Sequence, residues 1–241
     1  MLGPFRRKNK VAAPWCAAVV AAAGSSARMG GEDKLMLPLG DEPVILHTLR
    51  ALECCPHIQE IVVVTREDLI VPLGRLCTDY CLTKVRKVVL GGESRAHSVL
   101  LGVKEVSDRA QLIAVQDGAR PLVPPQVLEE VILTAAACGA AAPAVPVKDT
   151  IKRASDGVVT ETPDRSELFA VQTPQVFEAD LLRAALYRAV EEGVPVTDDC
   201  AAVERLGMKV TLTRGAEENM KITTPVDLAV AEALLHWREE R

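Results

Sequence analysis

The chain has 241 residues, of which 49% are hydrophobic and 3% aromatic, and a net charge of −5 at pH 7. This length suits one α/β domain, whose core must be built mainly from Ala, Val, Leu and Ile. The acidic balance excludes a surface that is basic all over, so an anionic ligand would need a local cationic pocket. No apolar run reaches the length of a membrane span. We therefore expect neither a nucleic acid nor a membrane as a partner.

The cysteines and the amino-terminal residues indicate where in the cell the protein is expected. The number of cysteines is odd and the chain has no Cys-x-x-Cys, which favours reduced thiols in a cytoplasmic protein over disulfides or a zinc site. These cysteines are Cys16, Cys54, Cys55, Cys77, Cys81, Cys138 and Cys200. A secretory signal is the alternative, because basic residues 6–8 precede an apolar stretch over 11–23. Pro14 interrupts that stretch, which argues against a secretory signal. We therefore expect residues 1–13 to be a flexible extension instead.

Strand-like and helix-like segments alternate along the chain. Short apolar runs predict strands over 16–23, 58–65, 85–90, 111–116, 140–147 and 209–213. Helical spacing predicts helices over 43–54, 93–106, 124–138, 179–192 and 198–206, and from Thr224 onwards. This alternation predicts an α/β fold, a Rossmann-like three-layer sandwich with a mostly parallel sheet, in a single domain over 14–241.

The alternation stops between residues 148 and 173. Residues 150–153 and 158–161 read as two short strands around a turn at Asp156-Gly157. The hairpin has an exposed edge that could pair with a second subunit. We predict a protruding dimerisation arm over 148–173, with an ordinary surface hairpin as the alternative.

Polar clusters follow three of the predicted strands, at residues 24–34, 91–98 and 117–120. In a parallel sheet covered by helices, ligands bind beyond the carboxyl ends of the strands. We therefore expect the three clusters to form a single site.

The first cluster belongs to the segment AAAGSSARMGGEDK, residues 21–34. It matches neither common phosphate-binding fingerprint, and Met29 stands where a P-loop has its second glycine. Its small residues would still let backbone N–H groups approach phosphate oxygens, and Arg28 and Lys34 add positive charge. The loop thus indicates a triphosphate site, with an ordinary flexible loop as the alternative.

The other two clusters also suggest anion chemistry. Residues 91–98, GGESRAHS, form a glycine turn before a helix, which can offer N–H donors to a base or a phosphate, although a normal capped helix is the alternative. Asp117 ends a buried strand beside a glycine, where Mg²⁺ bridging substrate phosphates is often held, although it could simply cap a turn. Arg120 could hold another anion. Lys221, on a predicted short strand, would look like a surface residue in isolation.

Together these segments resemble the cytidylyltransferase family of the non-mevalonate isoprenoid pathway, which joins CMP to 2-C-methyl-D-erythritol 4-phosphate. The matching segments occur in the family's order and cover nearly all of residues 16–235. They are AAAGSSARMG with Lys34, GGESRAHSV, QDGARP, PVKDTIKR, PDRSELFAVQTPQVF, TDDCAAVE and NMKITTPVDL. The resemblance implies a nucleotidyltransferase that uses CTP and releases pyrophosphate.

The resemblance also implies roles for charged residues. Arg28 and Lys34 match the pair that stabilises charge on the α-phosphate during transfer. Arg165 and Lys221 match the pair that positions the methylerythritol phosphate. Asp117 matches the carboxylate associated with Mg²⁺ or another divalent cation.

Further contacts follow from the same resemblance. The segments that contact CTP are matched by Ala21, Ala22, Ala23, Gly24, Ser25, Gly92, Glu93, Ser98 and Gly118. Arg120 and Thr150 match further sugar-phosphate contacts. The resemblance implies a homodimer whose arms exchange, so that Thr150 and Arg165 serve the neighbouring site.

The chain departs from the family pattern at the first loop, which is short and has Leu35 after Lys34, and at Glu93 and Ala21, where aspartate and proline are frequent. A cytidylyltransferase for ribitol 5-phosphate or another polyol phosphate is the nearest alternative. A GT-A glycosyltransferase is less favoured, because the chain has no Asp-x-Asp. A nucleotide-binding module without turnover would not need four cations beside Asp117.

Overall fold

The computed structural model describes residues 14–24 and 33–240. Over these residues the strands are β1 (Cys16–Ala22), β2 (Pro38–Leu39), β3 (Glu42–Pro43), β4 (Ile58–Thr65), β5 (Val85–Leu90), β6 (Leu112–Asp117), β7 (Ala140–Pro146), β8 (Arg153–Ser155), β9 (Val158–Glu161), β10 (Phe169–Val171), β11 (Gln175–Glu178) and β12 (Thr211–Arg214). The α-helices are α1 (Val44–Cys54), α2 (Glu67–Asp79), α3 (Arg95–Lys104), α4 (Pro125–Cys138), α5 (Ala179–Glu191), α6 (Asp199–Glu204) and α7 (Pro225–Glu239).

The main sheet is mixed, with a parallel centre. Its order is β10-β7-β11-β6-β1-β4-β5, and β12 also pairs with β7. The β6-β1-β4-β5 pairs are parallel, whereas β11 and β10 pair antiparallel with their neighbours. The central strands β1, β4 and β6 are mostly apolar because helices cover both faces of the sheet, whereas the edge strand β5 carries exposed Arg86 and Lys87.

The two faces of the sheet carry two separate cores. In β1, Ala18 and Val20 join one cluster, and Ala17 and Val19 join the other, because successive strand residues point to opposite faces. The first cluster packs beneath α1, α2, α4 and α7, and the second beneath α3, α5 and α6. The predicted three-layer α/β fold is confirmed.

A glycine sets how closely α3 approaches the sheet. A Cβ atom added at Gly102 would lie 2.7 Å from Cγ1 of Val19 and even nearer to Cγ2 of Val64. Such distances are too short for carbon atoms, so only glycine permits this packing. The contact holds α3 against β1 and β4.

The predicted element boundaries need several corrections. The first hairpin strand is Arg153–Ser155 rather than 150–153, because only those residues pair with β9. The Asp156-Gly157 turn lies where it was predicted, with both residues at positive φ. The segment before α7 that carries Lys221 is not a strand. The short antiparallel strands β10 and β11 were not predicted.

Three other expectations concern the whole chain. Residues 1–13, predicted to be an extension, lie outside the described residues. The division into one domain with an arm over 148–173 stays a prediction. Within residues 14–24 and 33–240, no helix is both long and apolar enough to cross a membrane.

Candidate active site

A pocket of about 360 Å³ opens at the carboxyl ends of β1 and β6, beside the amino end of α3. It is lined by Ala21, Ala22, Ala23, Gly24, Lys34, Leu35, Gly92, Glu93, Ser94, Arg95, Ser98, Asp117, Gly118, Ala119 and Lys221. All three clusters that follow predicted strands contribute to this lining. The position agrees with the rule that places ligands at strand carboxyl ends.

The end of β1 forms one wall of the pocket with small side chains. The N–H of Gly118 donates to the carbonyl oxygen of Ala21 at 3.0 Å, which holds the ends of β1 and β6 together. A Cβ at Gly118 would lie 2.9 Å from Cδ1 of Ile45 and 3.3 Å from that carbonyl oxygen. A side chain at position 118 would therefore have to displace the end of Ile45 and shift the backbone at Ala21 slightly.

The turn between β5 and α3 forms a second wall. The N–H of Gly91 donates to Thr65 O at 2.8 Å, and the N–H of Gly92 donates to Oγ of Ser98 at 3.0 Å. Ser94 caps α3 by accepting from the N–H of His97, so the helix begins at Arg95 and not at Glu93. The Gly92 N–H is thus already bonded, which makes Ser98 a support of the turn.

Asp117 is the buried acid of the pocket, with 6% of its surface exposed. Its Oδ2 lies 3.0 Å from Nζ of Lys221 and 3.4 Å from Nε of Arg120, and its Oδ1 lies 3.6 Å from Nη2 of Arg95. Burial by itself raises the pKa of Asp117, but the charges of Lys221, Arg95 and Arg120 outweigh it and hold that pKa below the usual value. The carboxyl group is therefore ionised at neutral pH.

Lys34 and Lys221 are connected through one short segment. Nζ of Lys34 donates to the carbonyl oxygen of Ile222 at 3.1 Å, and the N–H of Ile222 donates to Ala119 O at 2.9 Å. The segment before α7 therefore lies against the end of β6. This tertiary contact brings Lys221, a surface residue by local sequence alone, to the pocket.

Arg120 contacts residues next to the pocket without lining it. Its Nη1 donates to the carbonyl oxygen of Asn219 at 2.6 Å, and its side chain does not line the pocket. Burial lowers the pKa of Arg120, although Asp117 opposes this. The predicted contact between Arg120 and a sugar phosphate would require this side chain to leave Asn219.

Two of the remaining predicted residues, Thr150 and Arg165, lie outside the pocket. Thr150 and Arg165 are exposed on the arm, where Nη1 of Arg165 donates to Lys148 O at 2.7 Å, and neither residue lines the pocket. Arg28 and Ser25 lie outside the described residues. Their roles stay predictions.

Two charged residues near the pocket received no role from the sequence. Arg95 lines the pocket, and its Nη2 lies 2.8 Å from Oδ2 of the buried Asp199. In the sequence, Arg95 belongs to the cluster at residues 91–98, and Asp199 belongs to the segment TDDCAAVE that resembles the family. Only the folded contact between α3 and α6 shows that they belong together.

Asp117 could bind Mg²⁺ in this pocket if oxygens of the substrate supplied most of the other ligands. Asp117 is an ionised carboxylate on the pocket wall. Among the described residues, no cluster of three or more His, Cys, Asp or Glu side chains could hold a metal. Mg²⁺ commonly takes one or two carboxylates and completes its shell with phosphates and water. One buried, ionised acid on the wall of this pocket, with substrate phosphates as the other ligands, suits such a cation.

The family model described as 2-C-methyl-D-erythritol 4-phosphate cytidylyltransferase matches residues 16–237. The chain belongs to this family. A relative of that name from Desulforamulus reducens is 46% identical over 230 residues, covering 92% of this chain and 96% of the relative. One from Symbiobacterium thermophilum is 45% identical over 219 residues, covering 90% and 91%.

A solved structure supports the same assignment. The 4-diphosphocytidyl-2C-methyl-D-erythritol synthase of Anaerococcus prevotii superposes with a TM-score of 0.83 at 28% identity, covering 93% of this chain and 97% of that one. The family predicted from ordered sequence segments is confirmed, and the chain is a nucleotidyltransferase.

Proposed function

We propose that this chain transfers CMP from CTP to 2-C-methyl-D-erythritol 4-phosphate, which gives 4-diphosphocytidyl-2-C-methyl-D-erythritol and pyrophosphate. The observation that carries the proposal is the pocket at the ends of β1 and β6, which Lys34, Arg95 and Lys221 line. In this pocket Arg95 and Lys221 lie beside the buried, ionised Asp117. Membership of the family supports the choice of methylerythritol phosphate over ribitol 5-phosphate.

The reaction joins two polyanions, so the pocket has to offset their repulsion. Two unit charges 4 Å apart repel by roughly 4 kcal/mol at an effective dielectric constant near 20. In our proposal, a phosphate oxygen of the acceptor attacks the α-phosphorus of CTP, and pyrophosphate leaves from the opposite side. Lys34 stabilises charge at the α-phosphate and Lys221 positions the acceptor phosphate. Such transfers depend mostly on positioning and charge stabilisation.

The walls of the pocket suit a nucleotide. Residues 21–24 are Ala and Gly, and their small side chains leave the backbone accessible to phosphate oxygens or a base. The turn at Gly92 lies on the other side and is held by Ser98. We assign these two walls to CTP.

Asp117 and the phosphates of CTP would together hold Mg²⁺. Bound there, the cation would neutralise phosphate charge and act as a Lewis acid. The chain's own part is to keep Asp117 ionised, which Lys221, Arg95 and Arg120 do. A chelator in excess should stop pyrophosphate release, and added Mg²⁺ should restore it. Full activity in the chelator would overturn this part of the proposal.

The arm supports the proposal of a homodimer. It exposes large apolar side chains, including Val158, Val159 and Phe169, with 68%, 55% and 46% of their surfaces exposed. It also carries Thr150 and Arg165 away from the pocket of their own chain. Exchange of arms between two copies would cover the apolar surface and complete both sites. A cytoplasmic location remains an expectation from the cysteines.

The deciding experiment is a pyrophosphate-release assay with purified protein, CTP and Mg²⁺. Methylerythritol phosphate should be the preferred acceptor, and ribitol 5-phosphate at equal concentration should give a much lower kcat/KM. ATP, GTP and UTP with the same acceptor are the nucleotide controls. Equal or better turnover of ribitol 5-phosphate would overturn the proposed acceptor, and release without any acceptor would overturn the proposed reaction class.

A further inference from the structure

Arg95 lies between two carboxylates. Its Nη2 is 2.8 Å from Oδ2 of Asp199 and 3.6 Å from Oδ1 of Asp117. Arg95 is the first residue of α3, and it lines the pocket that Asp117 also lines. A planar guanidinium presents several N–H donors at fixed angles, so it can contact both acids at once. Asp199 does not line the pocket, and its ion pair with Arg95 connects it to the pocket wall.

Within the described part of the chain, Asp199 is a buried carboxylate with only one of its two oxygens paired. Its surface is 1% exposed, and its Oδ1 has no hydrogen-bond partner among the described residues. Burial raises the pKa of Asp199 above its usual value, although the guanidinium of Arg95 opposes that effect. An incompletely paired buried carboxylate contributes little to folding compared with an apolar residue of similar size. Its presence next to Arg95 therefore calls for an explanation other than stability.

The backbone around Asp199 is held by β11. Oε1 of Gln175 accepts from the N–H groups of Asp199 at 2.9 Å and Cys200 at 3.1 Å. Gln175 lies opposite Val115 in the pairing of β11 with β6, the strand that ends at Asp117. The path from β6 through β11, α6 and Arg95 back to Asp117 is thus a closed ring of contacts. Asp199 is fixed relative to the same strand that presents Asp117.

We propose that Asp199 is a positioning residue for the transfer reaction, which fixes the guanidinium of Arg95 against Asp117 at the pocket wall. Arg95 then faces the anionic substrates in one orientation, and Asp117 keeps its Oδ2 directed to Lys221. This inference rests on the proposed function. Without Asp199, the guanidinium remains in the pocket but is no longer held in place.

Positioning and simple electrostatics lead to opposite expectations for Asp199→Asn. The substitution removes a negative charge near the pocket, so electrostatics alone would tighten the binding of CTP and lower its KM. Loss of positioning instead lowers kcat, by about tenfold for a displacement of a fraction of an ångström, and leaves both KM values nearly unchanged. The split between kcat and KM therefore separates the two effects.

The experiment compares wild type, Asp199→Asn, Arg95→Met and the double variant in the pyrophosphate assay. Wild-type turnover tests the proposed function first, so its failure is seen before any variant is measured. Glu204→Gln is the matched control, because it makes the same change at an exposed position of α6 and should keep wild-type kinetics. The thermal midpoint of each variant shows whether it is folded at the assay temperature.

The proposal expects Asp199→Asn to lower kcat about tenfold, and the double variant to be no slower than Arg95→Met, because Asp199 acts only through Arg95. Normal kcat in Asp199→Asn, or losses that multiply in the double variant, would overturn it. If Asp199→Asn does not fold, Arg95→Lys provides the test. Lysine keeps the charge but cannot contact both acids, so kcat should fall about fivefold or more in the folded variant. Wild-type kcat in Arg95→Lys would overturn the proposal.

Discussion

The ammonium group of Lys221 lies 3.0 Å from Oδ2 of Asp117, and this ion pair joins the segment before α7 to the end of β6. It keeps both charges beside the pocket when no phosphate is present. Because Asp117 also faces Arg95 and Arg120, its charge remains compensated when Lys221 turns towards a substrate phosphate. In the proposed reaction, Lys221 would therefore reach the acceptor phosphate at a lower electrostatic cost than an isolated ion pair would allow.

Lys34→Ala should mainly lower kcat, by about 10² or more, because it removes a charge that acts on the transition state. The KM values for both substrates should change much less. Steady-state kinetics with varied CTP and varied acceptor measure the two effects. Lys104→Ala, a change of the same type at the exposed end of α3, is the control. A kcat within threefold of wild type would remove Lys34 from the proposed catalytic residues.

Lys221→Ala should strongly raise the KM for methylerythritol phosphate, in contrast to Lys34→Ala, which should mainly lower kcat. The reason is that Lys221 is proposed to bind the acceptor phosphate in the ground state as well as during transfer. Circular dichroism should show whether loss of the ion pair with Asp117 changes the fold. A purely kcat effect would show that Lys221 acts on the transferred phosphate instead.

Exchange of arms predicts complementation between two inactive variants. Lys34→Ala and Arg165→Ala each damage one component of every site in their own homodimers. After mixing under conditions that exchange subunits, half of the dimers are mixed and each contains one intact site, so about a quarter of wild-type activity should return. No recovery, with mixed dimers demonstrated by mass spectrometry, would place Arg165 in the site of its own chain.

The start of α7 predicts a pH-dependent contribution to stability. Oδ2 of Asp227 accepts from the N–H groups of Thr223 and Thr224, both at 2.8 Å. Burial raises the pKa of Asp227, but the hydrogen bonds from the hydroxyl of Thr223 and from these N–H groups outweigh it and lower that pKa below the usual value. The stabilisation is therefore present above the ordinary aspartate pKa and is lost as the pH falls through the lowered folded pKa.

We expect Asp227→Asn to lower the free energy of unfolding by about 1 kcal/mol at pH 7. Urea unfolding between pH 7 and pH 3 should show the difference from wild type shrinking at the acid end. Asp180→Asn is the control, because Asp180 is also in the first turn of a helix but is largely exposed. A difference that does not depend on pH would show that the charge of Asp227 is not responsible.

Two glycines within helices should respond oppositely to alanine. At Gly74 in α2 an added Cβ meets nothing within 4 Å, so Gly74→Ala should stabilise the protein by about 0.5–1 kcal/mol. At Gly102 the Cβ would overlap Val19 and Val64, so Gly102→Ala should destabilise it by about 1–3 kcal/mol. Thermal and urea unfolding of the pair check the sign. Equal effects would show that α3 can move away from the sheet without cost.

The sequence predicts the parts of the site that depend on local pattern. The apolar runs of β1 and β6 mark their carboxyl ends, so the meeting of residues 21–24 with Asp117 follows from the rule for parallel sheets. The small antiparallel strands β10 and β11 were missed, since they have three and four residues and depend on pairing with β6 and β7.

Contacts between distant elements could not be predicted in this way. Arg120 was expected to face a sugar phosphate, but the carbonyl oxygen of Asn219 engages it. Asp199 stands beside Asp198, and no local signal distinguishes the acid that caps α6 from the acid that pairs with Arg95. Only the packing of α6 against α5 and the sheet separates the two roles.

The hydrogen bond from Lys34 to Ile222 joins positions 188 residues apart. During translation the amino-terminal strands are made first and can begin to fold while the rest of the chain is still inside the ribosome. The segment that carries Lys221 follows β12 and is therefore made after every strand of the main sheet. A chain truncated just before residue 219 would therefore keep every strand of the main sheet but lack the pocket wall that Lys221 forms.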